Sequence, residues 1–264
     1  MKTLDVGGWK MRCVDRGDGL PIVFVHGFPL DHTMWAEQTA ALSSRSVRAI
    51  APDLRGFGES AVEGETVTME QFADDLAAML DALGVARPIV LCGLSMGGYI
   101  ALQFWQKYAA RLQGLILCDT RAAADAPDVA AGRFQTADRV PREGASLLVE
   151  TMFPRIFGET TRRRRPELLD AMRRVVAAND PRGVAAALRG MAERPDMSGR
   201  LSQIACPTLV LVGQEDISSP PAEMRVMAEA IPGARFVEIP AAGHLAPLEN
   251  PAAVNAAIAD FLAV

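Results

Sequence analysis

Residues 88–105 carry no charged side chain over 18 consecutive positions, close to the length at which an apolar segment is read as a membrane span. The middle of the stretch argues otherwise. Gly93, Ser95, Gly97 and Gly98 crowd together there, and glycines so closely spaced interrupt a helix rather than extend it. A buried strand, a sharp turn and a buried helix in succession produce the same absence of charge. The segment is therefore expected to be a strand over 88–92, a turn, and a helix over 99–108. A strand this apolar needs cover on both faces, which calls for an α/β fold with helices layered on a mostly parallel sheet.

The rest of the chain keeps that rhythm. Short aliphatic or β-branched runs at 21–25, 47–51, 112–118, 208–212 and 234–239 read as further strands, and the more polar 3–6 and 10–15 as an antiparallel edge. Thr68 and Gln71 suit a capping box ahead of an apolar stripe formed by Phe72, Leu76, Met79, Leu80 and Leu83, with Gly84 as its stop. Asn250 followed by Pro251 opens a last helix buried through Val254, Ile258, Phe261 and Leu262. Residues 121–200 break the pattern. They hold no convincing strand, and their helical segments are punctuated by Pro127, Pro141, Pro154, Pro166, Pro181 and Pro195. They also hold 15 Arg, no Lys and 11 acidic residues, a balance of +4 against −9 for the remainder. This reads as a helical cap (121–200) inserted into a core made of 1–120 and 201–264.

Composition bounds the function. A chain of 264 residues, half of them hydrophobic and 22% charged, is too apolar to be disordered and long enough to bury a core without staples. A net charge of −5 argues against nucleic acid as a partner, since phosphate contacts need a basic surface. Cys13, Cys92, Cys118 and Cys206 form no C-x-x-C pair, so they read as reduced thiols of a cytoplasmic protein rather than metal ligands or disulfides. The first residues, Met1 to Asp5, contain no apolar run of the kind a signal peptide needs. No membrane partner is expected, and association with further copies of the chain is left open.

The chemistry is concentrated at Gly93-Leu94-Ser95-Met96-Gly97-Gly98. This is G-x-S-x-G between a strand and a helix, where a tight turn lifts the serine hydroxyl above the strand ends and glycines relieve backbone crowding. A serine hydroxyl is a poor nucleophile unless a histidine takes its proton and a carboxylate orients that histidine. Of His26, His32 and His244, the last lies just past the final strand, and Asp216 lies just past the one before it. The order Ser95, Asp216, His244 is one in which such triads occur. Asp119, after the 112–118 strand, and Glu215, beside Asp216, remain alternatives for the acid. The tetrahedral oxyanion needs two backbone N–H donors. Met96, following the nucleophile, should give one, and Phe28, in His26-Gly27-Phe28-Pro29, the other. His26 is expected to brace this loop, and His32 to stand at the surface or at a helix start.

These motifs, together with Pro52-Asp53-Leu54-Arg55-Gly56-Phe57-Gly58-Glu59-Ser60 and Gly243-His244, resemble the α/β-hydrolase superfamily over nearly the whole chain. More narrowly, the chain is similar to the capped group of small esterases, 3-oxoadipate enol-lactonases and cofactor-free, haloperoxidase-like perhydrolases. The resemblance implies an eight-stranded sheet with the cap after the sixth strand, and chemistry that requires neither metal nor organic cofactor. The 53–60 segment then serves as scaffold, with Gly56 and Gly58 forming a tight turn. Haloalkane dehalogenases and epoxide hydrolases use an aspartate nucleophile, so Ser95 argues against both.

Candidate pocket walls are Phe28, Met152, Phe153, Ile156, Ile217 and Leu245, although the apolar 146–158 segment reads equally well as a helix buried against its neighbours. The run Arg162 to Arg165 reads as solvated surface. Arg121 is better placed to meet a substrate carboxylate. The expected activity is hydrolysis of a small to medium carboxylic ester or lactone through an acyl-enzyme. Perhydrolysis, C–C bond hydrolysis and a receptor that keeps a slow triad are the alternatives.

Overall fold

A computed structural model describes residues 1–263. Its eight strands are β1 (Lys2–Val6), β2 (Trp9–Gly17), β3 (Leu20–Val25), β4 (Val47–Pro52), β5 (Ile89–Leu94), β6 (Leu112–Cys118), β7 (Thr208–Gly213) and β8 (Arg235–Ile239). They form one sheet in the order β1-β2-β4-β3-β5-β6-β7-β8. Only β2 runs against the rest, pairing antiparallel with both β1 and β4, while every other neighbour pair is parallel. All residues of β5 and β7 are buried, as apolar strands covered on both faces must be.

Eleven α-helices occupy the described residues: α1 (Ala36–Leu42), α2 (Met69–Ala82), α3 (Met96–Tyr108), α4 (Pro127–Glu143), α5 (Leu147–Ile156), α6 (Glu159–Arg164), α7 (Pro166–Ala178), α8 (Pro181–Ala192), α9 (Pro221–Glu229), α10 (Ala246–Glu249) and α11 (Pro251–Leu262). Within the sheet layers α2 packs on α3, and α1 on α11. Asn250 caps α11 by accepting from the Ala253 N–H at 3.2 Å, and Val254, Ile258 and Phe261 are buried as expected. Thr68 caps α2 by accepting from the Gln71 N–H at 3.1 Å. The capping box is only half made, because the Gln71 amide turns to Asp75, which also takes a two-pronged contact from Arg55.

Helices α4 to α8 lie between β6 and β7, with α4 packed against α8. Their attachment to the rest of the molecule is specific. Asn179, between α7 and α8, accepts from Gly58 N–H and donates to the Pro29 carbonyl, both at 2.8 Å. Arg194, just beyond α8, pairs with Asp125 at 2.7 Å, both side chains 4% exposed, and its guanidinium lies 4.1 Å from the Tyr99 ring centroid.

Because β3, β5, β6, β7 and β8 are mutually parallel, their carboxyl ends meet at one edge, the place where open α/β sheets gather functional groups. The loops leaving this edge begin at His26, Ser95, Asp119, Gln214 and Pro240.

Candidate active site

The expected turn around Ser95 contracts to a single residue. Strand β5 runs on to Leu94 and α3 begins at Met96, leaving Ser95 between them at φ 53°, ψ −113°. A side-chain-bearing residue holds this left-handed conformation only where its surroundings fix it. Here the Ser95 N–H donates to the Cys118 carbonyl at 3.0 Å, and the Ser95 carbonyl accepts from the Gly98 N–H and the Thr120 hydroxyl at 2.8 and 2.7 Å. The turn closes so tightly that a Cβ on Gly93 would stand 2.1 Å from the Gly97 carbonyl oxygen. The glycine spacing of the motif is thus a steric requirement.

Two loops bring partners to the hydroxyl. His244 Nε2 lies 2.8 Å from Ser95 Oγ, and His244 Nδ1 lies 2.8 Å from Asp216 Oδ2. Asp216 is held in turn: its Oδ1 accepts from the N–H groups of Ser218 and Ser219 at 2.7 and 3.0 Å. The carboxylate can only accept, which puts the imidazole proton on Nδ1 and leaves the Nε2 lone pair facing the serine. The alternative acids point elsewhere. Asp119 is fully buried and accepts from the Gly213 N–H at 2.8 Å, leaving Oδ2 unpartnered. Burial, reinforced by the charge of Asp216, pushes its carboxyl well above the usual carboxylate range. Glu215 turns to the N–H and hydroxyl of Thr160.

The loop after β3 passes close beside the serine. A Cβ on Gly27 would meet the Leu94 side chain at 2.7 Å and Ser95 Cβ at 3.5 Å, so only glycine lets the next amide approach Ser95. Among the described residues, neither the Phe28 N–H nor the Met96 N–H donates to a protein acceptor. His26 is buried behind them, bridging the Gly27 carbonyl and the Leu54 N–H at 3.0 Å each, and desolvation lowers its pKa. It braces the loop as expected.

His32 stands at a helix start, one of its two expected places, opening a short 3-10 turn (His32–Trp35), and it is not a free surface group. Its Nδ1 contacts the buried Asp53 carboxylate at 2.6 Å. Burial opposes its charge, yet the hydrogen bond and the Asp53 charge outweigh this and raise its pKa, while Asp53 is lowered in return despite its own desolvation. Asp31, His32 and Asp53 could bring three ligand atoms together. Asp31, however, caps the turn through the Thr33 N–H, and the other two satisfy each other.

A cavity of about 480 Å³ opens on Ser95 and His244, with Phe28, Met152, Ile156, Leu245 and Arg121 among its walls. Two expected wall residues stand outside it. Phe153 is buried on another side of α5, its ring 5.2 Å from Phe157, because one residue along a helix turns the side chain by about 100°. Ile217 is 62% exposed and instead lines a separate cavity of about 690 Å³ with Arg162, Arg163 and Arg164. Arg165, at the end of that run, is only partly solvated, since it donates to the Leu248 and Glu249 carbonyls at 3.0 and 3.1 Å. Sequence reasoning missed Tyr99, Arg133, Arg155 and Met191, which also line the cavity at Ser95. It missed Glu249 as well, a buried carboxylate whose pKa desolvation raises.

Comparison with known proteins agrees with this architecture. The alpha/beta hydrolase fold family model matches residues 21–251. A thermophilic esterase from Thermogutta terrifontis, solved with malate bound, is 49% identical and superposes with a TM-score of 0.96 over 99% of this chain and 97% of its own. The 3-oxoadipate enol-lactonase 1 of Acinetobacter baylyi is 31% identical over 230 residues, 87% of this chain and 84% of that protein. A non-heme haloperoxidase of Rhodococcus erythropolis is 38% identical over 103 residues, 39% of this chain and 37% of its own length. Among the described residues no helix is long and apolar enough to cross a membrane. With the family model covering most of its length and the sheet order, the serine turn and the histidine loop all in place, the chain belongs to the alpha/beta hydrolase fold family.

Proposed function

We propose that the protein is a serine hydrolase that cleaves small to medium carboxylic esters or lactones through an acyl-enzyme. The observation that carries this reading is the hydrogen-bonded series Ser95 Oγ, His244 Nε2, His244 Nδ1, Asp216 Oδ2, with both links at 2.8 Å, whose Ser95 and His244 line a cavity of about 480 Å³. Ser95 attacks the carbonyl carbon as His244 takes its proton, and Asp216 stabilises the imidazolium that forms. The Phe28 and Met96 N–H groups receive the oxyanion. The protonated His244 then returns its proton to the leaving alcohol, and a water activated by the same imidazole releases the acid. Residues 121–200 act as a cap on a core of 1–120 and 201–264, supplying Met152 and Ile156 to the acyl site. Replacing Ser95 by Ala is expected to abolish hydrolysis of p-nitrophenyl butyrate. Turnover retained by that variant would overturn the mechanism.

A narrower reading concerns the acyl group. Arg121 and Arg155 line the cavity. Arg121 meets only the largely exposed Glu223, at 3.2 Å, and Arg155 forms no ion pair among the described residues. These guanidinium groups favour an acyl chain ending in a carboxylate, and the malate-bound Thermogutta esterase is consistent with such a preference. Arg121→Ala should then lower kcat/KM for a hemisuccinate ester more than for the matching butyrate. An equal effect on both would remove the preference. Perhydrolysis uses the same residues with peroxide in place of water, and the ratio of peracid to acid formed at fixed peroxide distinguishes the two.

A further inference from the structure

Glu249 takes no part in the mechanism above, yet it is a buried carboxylate, 6% exposed, five residues beyond His244. Its two oxygens are divided between two parts of the chain. Oε1 accepts from the Leu245 N–H at 3.1 Å, and Oε2 accepts from the Gly158 N–H at 2.9 Å. Leu245 directly follows His244, while Gly158 lies between α5 and α6. Two residues before Gly158, the Ile156 carbonyl accepts from the His244 N–H at 3.0 Å. These bonds close a ring that runs from the Glu249 carboxylate to Leu245, His244, Ile156, Gly158 and back. The two segments also approach without side chains between them, since a Cβ on Gly243 would stand 2.3 Å from the Gly158 nitrogen. Arg165 adds a second tie on the same side through the carbonyls of α10.

Resting on the serine-hydrolase reading, we propose that Glu249 is a positioning residue that sets His244 against Ser95 by locking the histidine loop to the α5–α6 junction. Ile156 is also a wall of the cavity. The same ring therefore joins the seating of the acyl-site wall to the placement of the general base. Reach matters as much as charge, because a single carboxylate bridges two N–H groups on separate segments. A glutamine can accept at only one of its two terminal atoms and turns an N–H₂ toward the other amide. An aspartate keeps the charge but is one methylene shorter.

The test uses Glu249→Gln and Glu249→Asp in the full chain, with active sites counted by the stoichiometry of a fluorophosphonate label. Per labelled site, kcat for p-nitrophenyl butyrate should fall at least about tenfold in both variants with KM within about twofold, and the labelling rate constant should fall in parallel. A purely structural carboxylate would reduce the number of labelled sites and leave kcat per site unchanged. That result, or kcat within twofold of the parent, overturns the proposal. Hydrogen exchange on the parent protein decides the case if the variants do not fold. The peptides covering 155–161 and 243–249 should open as one unit with a common protection free energy, and independent opening would refute the coupling. Loss of all labelling and turnover in Ser95→Ala, alongside unchanged kcat in the Glu249 variants, would sink this inference alone. Turnover retained in Ser95→Ala would sink the underlying reading.

Discussion

Asp216→Asn should be among the most damaging isosteric changes in the molecule, because of how its two oxygens are held. Asp216 Oδ1 is seated under the N–H groups of Ser218 and Ser219 at 2.7 and 3.0 Å. An asparagine would leave its carbonyl oxygen in that seat, because the amide nitrogen cannot accept there. Its N–H₂ is then turned toward His244 Nδ1, 2.8 Å away in the parent. A donor at that position selects the tautomer with its proton on Nε2, facing the Ser95 hydroxyl at 2.8 Å, where no base remains to take the serine proton. The equivalent exchange in a serine protease triad costs about 10⁴ in kcat. At about 1.36 kcal/mol per tenfold, this is about 5.4 kcal/mol of transition-state stabilisation. Stability should change little, because both backbone N–H groups keep their acceptor. Asp216→Ala orphans them, at about 1–3 kcal/mol each. Initial rates with p-nitrophenyl butyrate and thermal melts of the same samples separate the two effects. Asp119→Asn provides the comparison, since Asp119 is buried with a raised pKa and bonds the Gly213 N–H rather than His244. If Asp216→Asn retained kcat/KM within tenfold of the parent, or if Asp119→Asn were the more damaging, the assignment of the acid would be refuted.

Two further outcomes concern the scaffold. The His32–Asp53 pair raises the histidine pKa, so the stability it contributes is fully present below about pH 6.5 and is lost as pH rises through the raised folded-state value. The parent's melting temperature should therefore fall across that window, and His32→Gln should flatten the fall; parallel profiles would contradict the pairing. Arg194→Met should destabilise the fold by about 3 kcal/mol in urea titrations, at the low end for breaking a buried pair because Arg133 remains on Asp125 at 2.6 Å. A loss below about 1 kcal/mol would mean that the pair contributes little.

The sheet was legible wherever burial alone fixes the pattern. The run 112–118 is bounded as the sequence suggests, because Gln113 alone is exposed and the continuous stretch 114–118 is buried. Ser95, Asp216 and His244 were legible because strand ends place them and each residue type has few substitutes for its chemistry. What escaped depends on contacts between distant segments. Nothing near His32 announces that Asp53 lies against it, and nothing near Glu249 announces Gly158, which is 91 positions away. Two of the expected cavity walls, Phe153 and Ile217, miss it for a different reason. Phe153 and Met152 are neighbours on α5 with the same apolar character, and only the packing of the helix decides which one faces the cavity. Ile217 follows Asp216 in sequence but faces outward, because the turn that seats Asp216 under Ser218 and Ser219 carries the intervening side chain away.

The central claim is that Ser95 is an activated nucleophile. Treating the intact protein with a fluorophosphonate and mapping the adduct by peptide mass spectrometry tests this most directly. A single adduct on Ser95, with p-nitrophenyl butyrate turnover lost in step with labelling, is the predicted result. An unlabelled protein that still turns over the ester, or an adduct on another residue, would contradict it.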